Sequence, residues 1–268
     1  MPSSILNLLD MKGRTSLITG ATGYCGRAIA NALSELGSDV ILVDHPNTEL
    51  IDFAKKISEK FQNKATPFFC DLEKSHEIDD FLLQLKNKFN SLDVLINNAA
   101  FVGSNDLEGW STSLENQSLE TWNRALDVNL TACFQIIKST KSLLNKSSCA
   151  SIINIGSIYG LYAPDLSIYE NTGMNNPAAY SVSKGGLLQL SRWMSTVLAP
   201  KIRVNSISPG GIKRNQPDKF IDRYVKKTPL NRMGSENDVV GAVVYLASDL
   251  SSWVTGQNLI VDGGWGIW

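Results

Sequence analysis

Residues 15–44 read TSLITGATGYCGRAIANALSELGSDVILVD. An apolar run, Thr15 to Thr19, stops at Gly20, and glycines recur at 23 and 26. A segment with Ile29, Leu33 and Leu36 at helical spacing ends on Gly37, and a second apolar run ends in Asp44. Strand, glycine-rich turn, helix and strand in that order make a βαβ unit. Gly20, Gly23 and Gly26, with Tyr24 and Cys25 between them, let the backbone turn tightly and approach a pyrophosphate at the positive end of the following helix. Asp44, 24 residues after Gly20, stands where a carboxylate accepts hydrogen bonds from adenosine ribose hydroxyls and repels a 2′-phosphate. No Lys or Arg precedes Arg27 in the turn or lies between Asp44 and Lys55, so NAD is favoured over NADP. An ordinary βα turn, with Asp44 capping the next loop, is the alternative reading.

The βα pattern continues to the C-terminus. A helix over 48–61 precedes a strand at 66–71. A helix capped by Ser75 then carries Ile78, Phe81, Leu82, Leu85 and Phe89 on one face. A strand at 93–97 leads into a polar, irregular stretch to about 117, then one long helix capped by Ser118 and running through Leu144. Strand 151–156, a helix from Pro177 to about Leu198, strand 202–208, helices near 217–227 and 236–248, and strand 258–262 complete the chain. Val-, Ile- and Leu-rich strands separated by helices suit a parallel sheet buried on both faces. No linker, repeat or low-complexity block intervenes, so residues 1–268 read as a single α/β domain.

The 268 residues are 43% apolar and 19% charged, with 25 basic and 26 acidic side chains and a formal net charge of -1. That composition supports a sizeable core and argues against a nucleic-acid binder. Cys25, Cys70, Cys133 and Cys149 show no CxxC spacing and no nearby His, which points away from zinc or a disulfide framework and fits a reducing cytoplasm. MPSSILNLLDMKGR makes a poor signal peptide, and no stretch approaches the ~20 apolar residues of a membrane span.

Further motifs fall on matching elements: Asn97-Asn98-Ala99-Ala100 after the fourth strand, Asn129 in the long helix, Ser157 after the fifth strand, and Tyr180-Ser181-Val182-Ser183-Lys184. With the glycine turn, Ile202-Arg203-Val204-Asn205 leading to Pro209-Gly210, and Val261-Asp262-Gly263-Gly264, they resemble the short-chain dehydrogenase/reductase superfamily from about residue 12 to the C-terminus. The resemblance implies a Rossmann-type, doubly wound sheet of about seven parallel strands with a nicotinamide cofactor across the strand ends. It implies Asp71 and Leu72 at the adenine, Asn97 and Ala99 lining the cofactor, and Pro209, Gly210 and Ile212 near the nicotinamide. Asn129, Ser157, Tyr180 and Lys184 would form the catalytic set, with Tyr180 and Lys184 also touching the cofactor. A homotetramer or dimer is implied as well, with interfaces on the helices 118–144 and 177–198, and on the last strand with Trp265 to Trp268.

The chemistry explains those residue types. Alcohol oxidation needs a base for the hydroxyl proton, and a free phenol, with pKa ~10, is too weakly acidic to serve at neutral pH. Tyr180 and Lys184 share a helix face, so the ammonium is expected to favour the phenolate. Ser157 would hold the substrate oxygen. By the resemblance, Asn129 would hold a water relaying protons to Lys184.

Two departures stand out. Tyr24 occupies a position where the short branch usually has Gly, giving a TGxxGxxG spacing like that of the extended branch. Ser157 and Tyr180 lie 23 residues apart, against roughly a dozen usually in the short branch. The NNAA, IRVNSISPGG and VDGG phrases, and the 59 residues left after Pro209, favour the short branch. The lengthened loop 158–179 mixes Tyr159, Tyr162 and Tyr169 with Asn171, Asn175 and Asn176, suiting a hydroxyl-rich ligand. The segment 210–232, a lid in the family, holds seven basic and two acidic residues. Lys213 and Arg214 there are expected to draw down an anionic, sugar-like substrate. His45 and His76 read as surface residues, and Trp110, Trp122, Trp193 and Trp253 as packing. A softer similarity runs to bacterial enzymes of surface-sugar and flagellin modification. The leading reading is an NAD-dependent oxidoreductase of a secondary alcohol or ketone. The alternatives are a nucleotide-sugar epimerase or dehydratase using bound NAD, and a non-catalytic dinucleotide-binding protein.

Overall fold

Seven parallel strands form one sheet in the order β3-β2-β1-β4-β5-β6-β7 in the computed structural model, which describes residues 4–103 and 107–268. The start of the N-terminal stretch (1–3) and part of the irregular stretch (104–106) lie outside the described residues. The strands are β1 (Thr15–Thr19), β2 (Asp39–Asp44), β3 (Ala65–Phe69), β4 (Val94–Asn97), β5 (Ser151–Ile155), β6 (Arg203–Pro209) and β7 (Asn258–Val261). The helices are α1 (Ile5–Leu9), α2 (Tyr24–Glu35), α3 (Leu50–Phe61), α4 (Ser75–Lys88), α5 (Leu119–Leu126), α6 (Ala132–Leu144), α7 (Ala178–Leu198), α8 (Asp218–Lys227) and α9 (Glu236–Ala247). Strand order reverses between β1 and β4, opening a crevice beyond the strand ends where such sheets bind ligands.

The uninterrupted apolar strands follow from burial on both faces. Successive residues point to opposite sides, so Ile18, Leu42 and Ile96 pack under α2, α3 and α9. Their neighbours Leu17, Ile41 and Leu95 pack under α4, α6 and α7. Each such side chain contributes roughly 1.5–3 kcal/mol on burial. Among the described residues no helix is long and apolar enough to cross a membrane.

The expected long helix from Ser118 to Leu144 is not one helix. Ser118 does cap it, accepting from the Thr121 N–H. A π-helical turn at Asp127–Thr131 then separates α5 from α6. The irregularity has a local cause: Asn129, at its centre, reaches across to Phe101 and Ser183. Ser75 begins α4 without capping it, because the cap position falls on Lys74. Two tryptophans read as packing are exposed, Trp193 at 54% and Trp253 at 99%. Trp265, expected at an interface, is buried in its own chain, stacked on Tyr224 at 5.6 Å between ring centroids. Trp268 remains 85% exposed.

Candidate active site

The glycine turn is built by steric necessity. Gly20 has φ +63°, and a Cβ there would lie 2.8 Å from the Ala99 Cα. A Cβ on Gly26 would lie 2.0 Å from the Gly20 carbonyl oxygen, so only glycine permits this close approach. Thr19 and Asn98, to which sequence reasoning assigned no role, clamp the turn. The Thr19 hydroxyl accepts from the N–H groups of Asn98 and Ala99, each at 3.1 Å. Asn98 Nδ2 donates to the carbonyls of Thr19 and Gly20 at 2.9 and 3.0 Å. These contacts depend on β4 lying beside β1, a crossover that sequence order does not reveal.

No side chain caps α2, so its first-turn N–H groups face the turn for a ligand to use. This uncapped terminus and the glycine cradle fit a dinucleotide pyrophosphate. Asp44 Oδ2 accepts from the Thr22 N–H and hydroxyl, both at 2.7 Å, and Oδ1 from the His45 N–H at 2.8 Å. A carboxylate has about four acceptor sites, so one remains for a ribose hydroxyl. Asp71 accepts from the Glu73 N–H and stands 3.2 Å from Lys74 Nζ and 3.8 Å from His45 Nε2. Lys74 is thus a cation brought to this end from another element, but it also pairs with Glu77 at 2.9 Å. Leu72 packs partly into the core beneath α4.

Asn97 turns its side chain into the sheet. Its Nδ2 donates to Asn154 Oδ1 at 2.8 Å, and Asn154 Nδ2 donates to Ser191 at the same distance. The Asn97 Oδ1 is buried without a partner. Pro209 ends β6. A Cβ on Gly210 would lie 2.8 Å from the Asp262 Cα, and Ile212 bridges to Gly234. These three line a cleft of about 430 Å³ with Leu230 and Asp262, and Ser157 and Tyr180 do not line it.

The expected catalytic side chains do converge. Ser157 follows β5, and its Oγ accepts from the Tyr159 N–H at 3.2 Å. Tyr180, in the first turn of α7, comes close enough to Ser157 for its phenol acidity to feel the Ser157 hydroxyl, despite the 22 intervening positions in the chain. The loop 158–179 is therefore an excursion whose ends return to one place. Lys184, one turn further, is 2% exposed, and its Nζ donates to the Ile155 carbonyl at 2.7 Å. Its Nζ stands 5.9 Å from the Tyr180 ring centroid.

The electrostatics correct one expectation. Desolvation pushes the Tyr180 phenol up, and the nearby Ser157 hydroxyl offsets only part of that. Desolvation also pulls Lys184 down to about 8. In the protein alone, burial is the largest influence on both groups. Asn129 is fully buried. Its Oδ1 accepts from the Phe101 N–H at 2.7 Å, and its Nδ2 donates to Ser183 at 3.0 Å and to the Phe101 carbonyl at 3.3 Å. Both donors of its amide are used by protein groups, leaving one acceptor site on Oδ1 and its main chain for a water.

The long loop and the lid pack together. The Tyr159 and Tyr169 hydroxyls hydrogen-bond at 2.5 Å, within a cluster containing Phe220, Tyr224 and Trp265. Arg223 donates to loop carbonyls including that of Glu170, and Lys227 pairs with Asp165. Arg232 pairs with Asp238 at 2.6 Å. Arg214 pairs with Glu236 at 2.7 Å and lies 4.2 Å over the Tyr24 ring. Three of the seven cations, Arg214, Lys227 and Arg232, are thus paired with carboxylates of neighbouring elements, and Arg214 is turned toward the glycine turn.

Comparison with known proteins agrees with this geometry. Residues 20–266 match a family model described as enoyl-(acyl carrier protein) reductase. The chain is 30% identical over 260 residues to post-translational flagellin modification protein A of Campylobacter coli, covering 96% of this chain and 100% of that one. It is 33% identical, with TM-score 0.83, to a short-chain dehydrogenase of Leptospira borgpetersenii solved with NAD+, covering 99% and 96%. It is 28% identical, with TM-score 0.84, to a candidate NAD(P)-dependent gluconate 5-dehydrogenase of Beutenbergia cavernae solved with NADP, covering 96% and 98%. The chain belongs to the short-chain dehydrogenase/reductase superfamily and is an oxidoreductase of alcohols or their ketones that uses a nicotinamide dinucleotide.

Proposed function

We propose that the protein is an NAD-dependent oxidoreductase of a secondary alcohol or its ketone on a hydroxyl-rich, anionic small molecule. The carrying observation is the convergence of Ser157 and Tyr180 with the buried Lys184 ammonium behind them, its Nζ 5.9 Å from the Tyr180 ring centroid. The glycine turn, Asp44 and Asp71 would hold the dinucleotide, whose nicotinamide ring supplies the hydride acceptor or donor. Ser157 Oγ holds the reacting oxygen by a hydrogen bond. Tyr180 Oη takes the hydroxyl proton in oxidation and returns it in reduction. Lys184 stabilises the transient phenolate once substrate and cofactor exclude water. Asn129 is a positioning residue, tying the π turn to Phe101 and α7. The aromatic and amide lining of the long loop, with Lys213 on the lid, suits a polyol bearing a phosphate or carboxylate.

NAD preference rests on the balance of charge at the adenosine end. Asp44, Asp71 and Glu77 face one Lys74 and a histidine there, so a 2′-phosphate meets net negative charge. Wild-type kcat/KM for NAD is expected to exceed that for NADP by at least about tenfold, or about 1.4 kcal/mol. His45→Arg, which leaves Asp44 in place, should narrow that gap. Equal kcat/KM values in the wild type would overturn the preference.

Four free thiols, two of them buried, fit a reducing cytoplasm. We read the chain as a homodimer or homotetramer. Phe134, Trp193 and Val197 leave apolar surface exposed on α6 and α7, and Leu259 and Ile260 do so on the edge strand β7. Light scattering at micromolar concentration should report a dimer or larger, and Trp193→Asp should shift it to smaller species. A wild-type monomer contradicts this assembly.

A further inference from the structure

Tyr24 is a large, exposed side chain on the first residue of the helix that follows the glycine turn. Its ring carries the Arg214 guanidinium flat against it at 4.2 Å. Arg214 comes from the lid, directly after the Gly210-Gly211 pair, and its loop is anchored by the Arg214 N–H donating to Gln216 Oε1. A guanidinium stacked on a ring keeps its in-plane N–H edges available for a bidentate acceptor. Here those edges are filled by Glu236, at 2.7 Å, and by the Lys213 carbonyl, at 2.6 Å. Glu236 is the first residue of α9, and both members of the pair remain about a quarter exposed, so exchanging one acceptor for another is cheap. Burial raises the pKa of the Cys25 thiol, next along α2, with Arg214 lowering it and Glu236 raising it to lesser extents.

We infer that Arg214 is the lid's pyrophosphate ligand. Tyr24 serves as its stacking platform, and Glu236 is the resting partner that the cofactor's phosphates displace or share. The inference rests on the dinucleotide reading of the glycine turn. It gives Tyr24 a purpose at a position where the short branch usually has glycine. It also couples the two halves of the site. The charge that neutralises the pyrophosphate is mounted on the lid, which already rests on α2 through Tyr24, so dinucleotide binding would hold residues 211–217 there before substrate enters.

The test is calorimetric titration of the purified protein with ADP-ribose, which carries the pyrophosphate but no nicotinamide ring. Arg214→Ala is expected to raise Kd at least about tenfold and flatten its dependence on salt. Glu236→Gln, which frees the guanidinium, should lower Kd severalfold. That variant keeps the inference open to refutation even if Arg214→Ala folds poorly. Tyr24→Phe keeps the ring and should bind like wild type, whereas Tyr24→Ala should bind more weakly. Unchanged Kd in Arg214→Ala, or weaker binding in Glu236→Gln, overturns the role of Arg214 while leaving the glycine turn as the dinucleotide site. If ADP-ribose fails to bind the wild-type protein, the site reading itself falls, and this inference with it.

Discussion

Tyr180→Phe is expected to lower kcat by about 10³-fold, within the range for loss of a positioned acid/base group, while NAD affinity stays near that of wild type. The substitution removes one oxygen and keeps the ring that packs beside Ala179 and Trp110. Ser157 keeps the Tyr159 N–H, so the local backbone is held. A proton would still have to leave the substrate hydroxyl, with no group of Ser157 or Lys184 placed to accept it directly. Lys184 Nζ is directed to the Ile155 carbonyl. Steady-state kinetics paired with a fluorescence titration of NADH separates the two effects. A variant with near-normal kcat overturns the assignment.

Lys184→Met should produce the second large effect, in opposite directions for activity and stability. Activity is expected to fall at least about 10²-fold, because the buried positive charge that supports the phenolate is gone. Stability at pH 7 should rise. The fold lowers the Lys184 pKa from 10.5 to about 8 through desolvation. The unfolded chain therefore holds that proton more tightly, and the whole penalty is present below pH 8. It is on the order of 3 kcal/mol, set against roughly 1.5–3 kcal/mol for the lost charge-assisted hydrogen bond to Ile155, and burying the apolar Met side chain adds to the gain. Between pH 8 and 10.5 the folded protein sheds the proton first, so wild-type stability gains with rising pH and the advantage of the variant shrinks. Thermal melts of both proteins across that range check the sign. A variant less stable than wild type at pH 7 contradicts the account, as does a stability difference that grows above pH 8.

Sheet composition was legible in the sequence because strands buried on both faces carry runs of consecutive apolar residues. Val94, Leu95 and Ile96 are one example, and the Thr15–Asp44 unit supplied the first turn of the topology. The glycine turn was equally legible: the contacts of Gly20 and Gly26 leave no room for a side chain. What escaped detection was whatever depends on neighbours distant in the chain. The clamp of Thr19 by Asn98 needs β4 beside β1. The π turn at Asn129 needs Phe101 and Ser183 in reach, and helical periodicity alone runs straight through it. The charge of residues 211–232 looked wholly unpaired because sequence shows cations without the three carboxylates that meet Arg214, Lys227 and Arg232. Glu236, Asp238 and Asp165 supply those partners from α9 and the long loop. Phenol acidity was only partly legible for a related reason: four-residue spacing brings Lys184 near Tyr180 but says nothing of the desolvation both suffer in the protein alone.

The most direct test of the central claim follows deuterium from [4-²H]NADH into product, over a panel of phosphorylated and carboxylated keto-sugars, with wild-type enzyme and Tyr180→Phe side by side. The wild type should place deuterium on the new carbinol carbon of at least one panel member, at a rate at least about 10³-fold above the variant. Transfer by Tyr180→Phe at a rate close to wild type, or no transfer by the wild type to any member of the panel, would contradict the account.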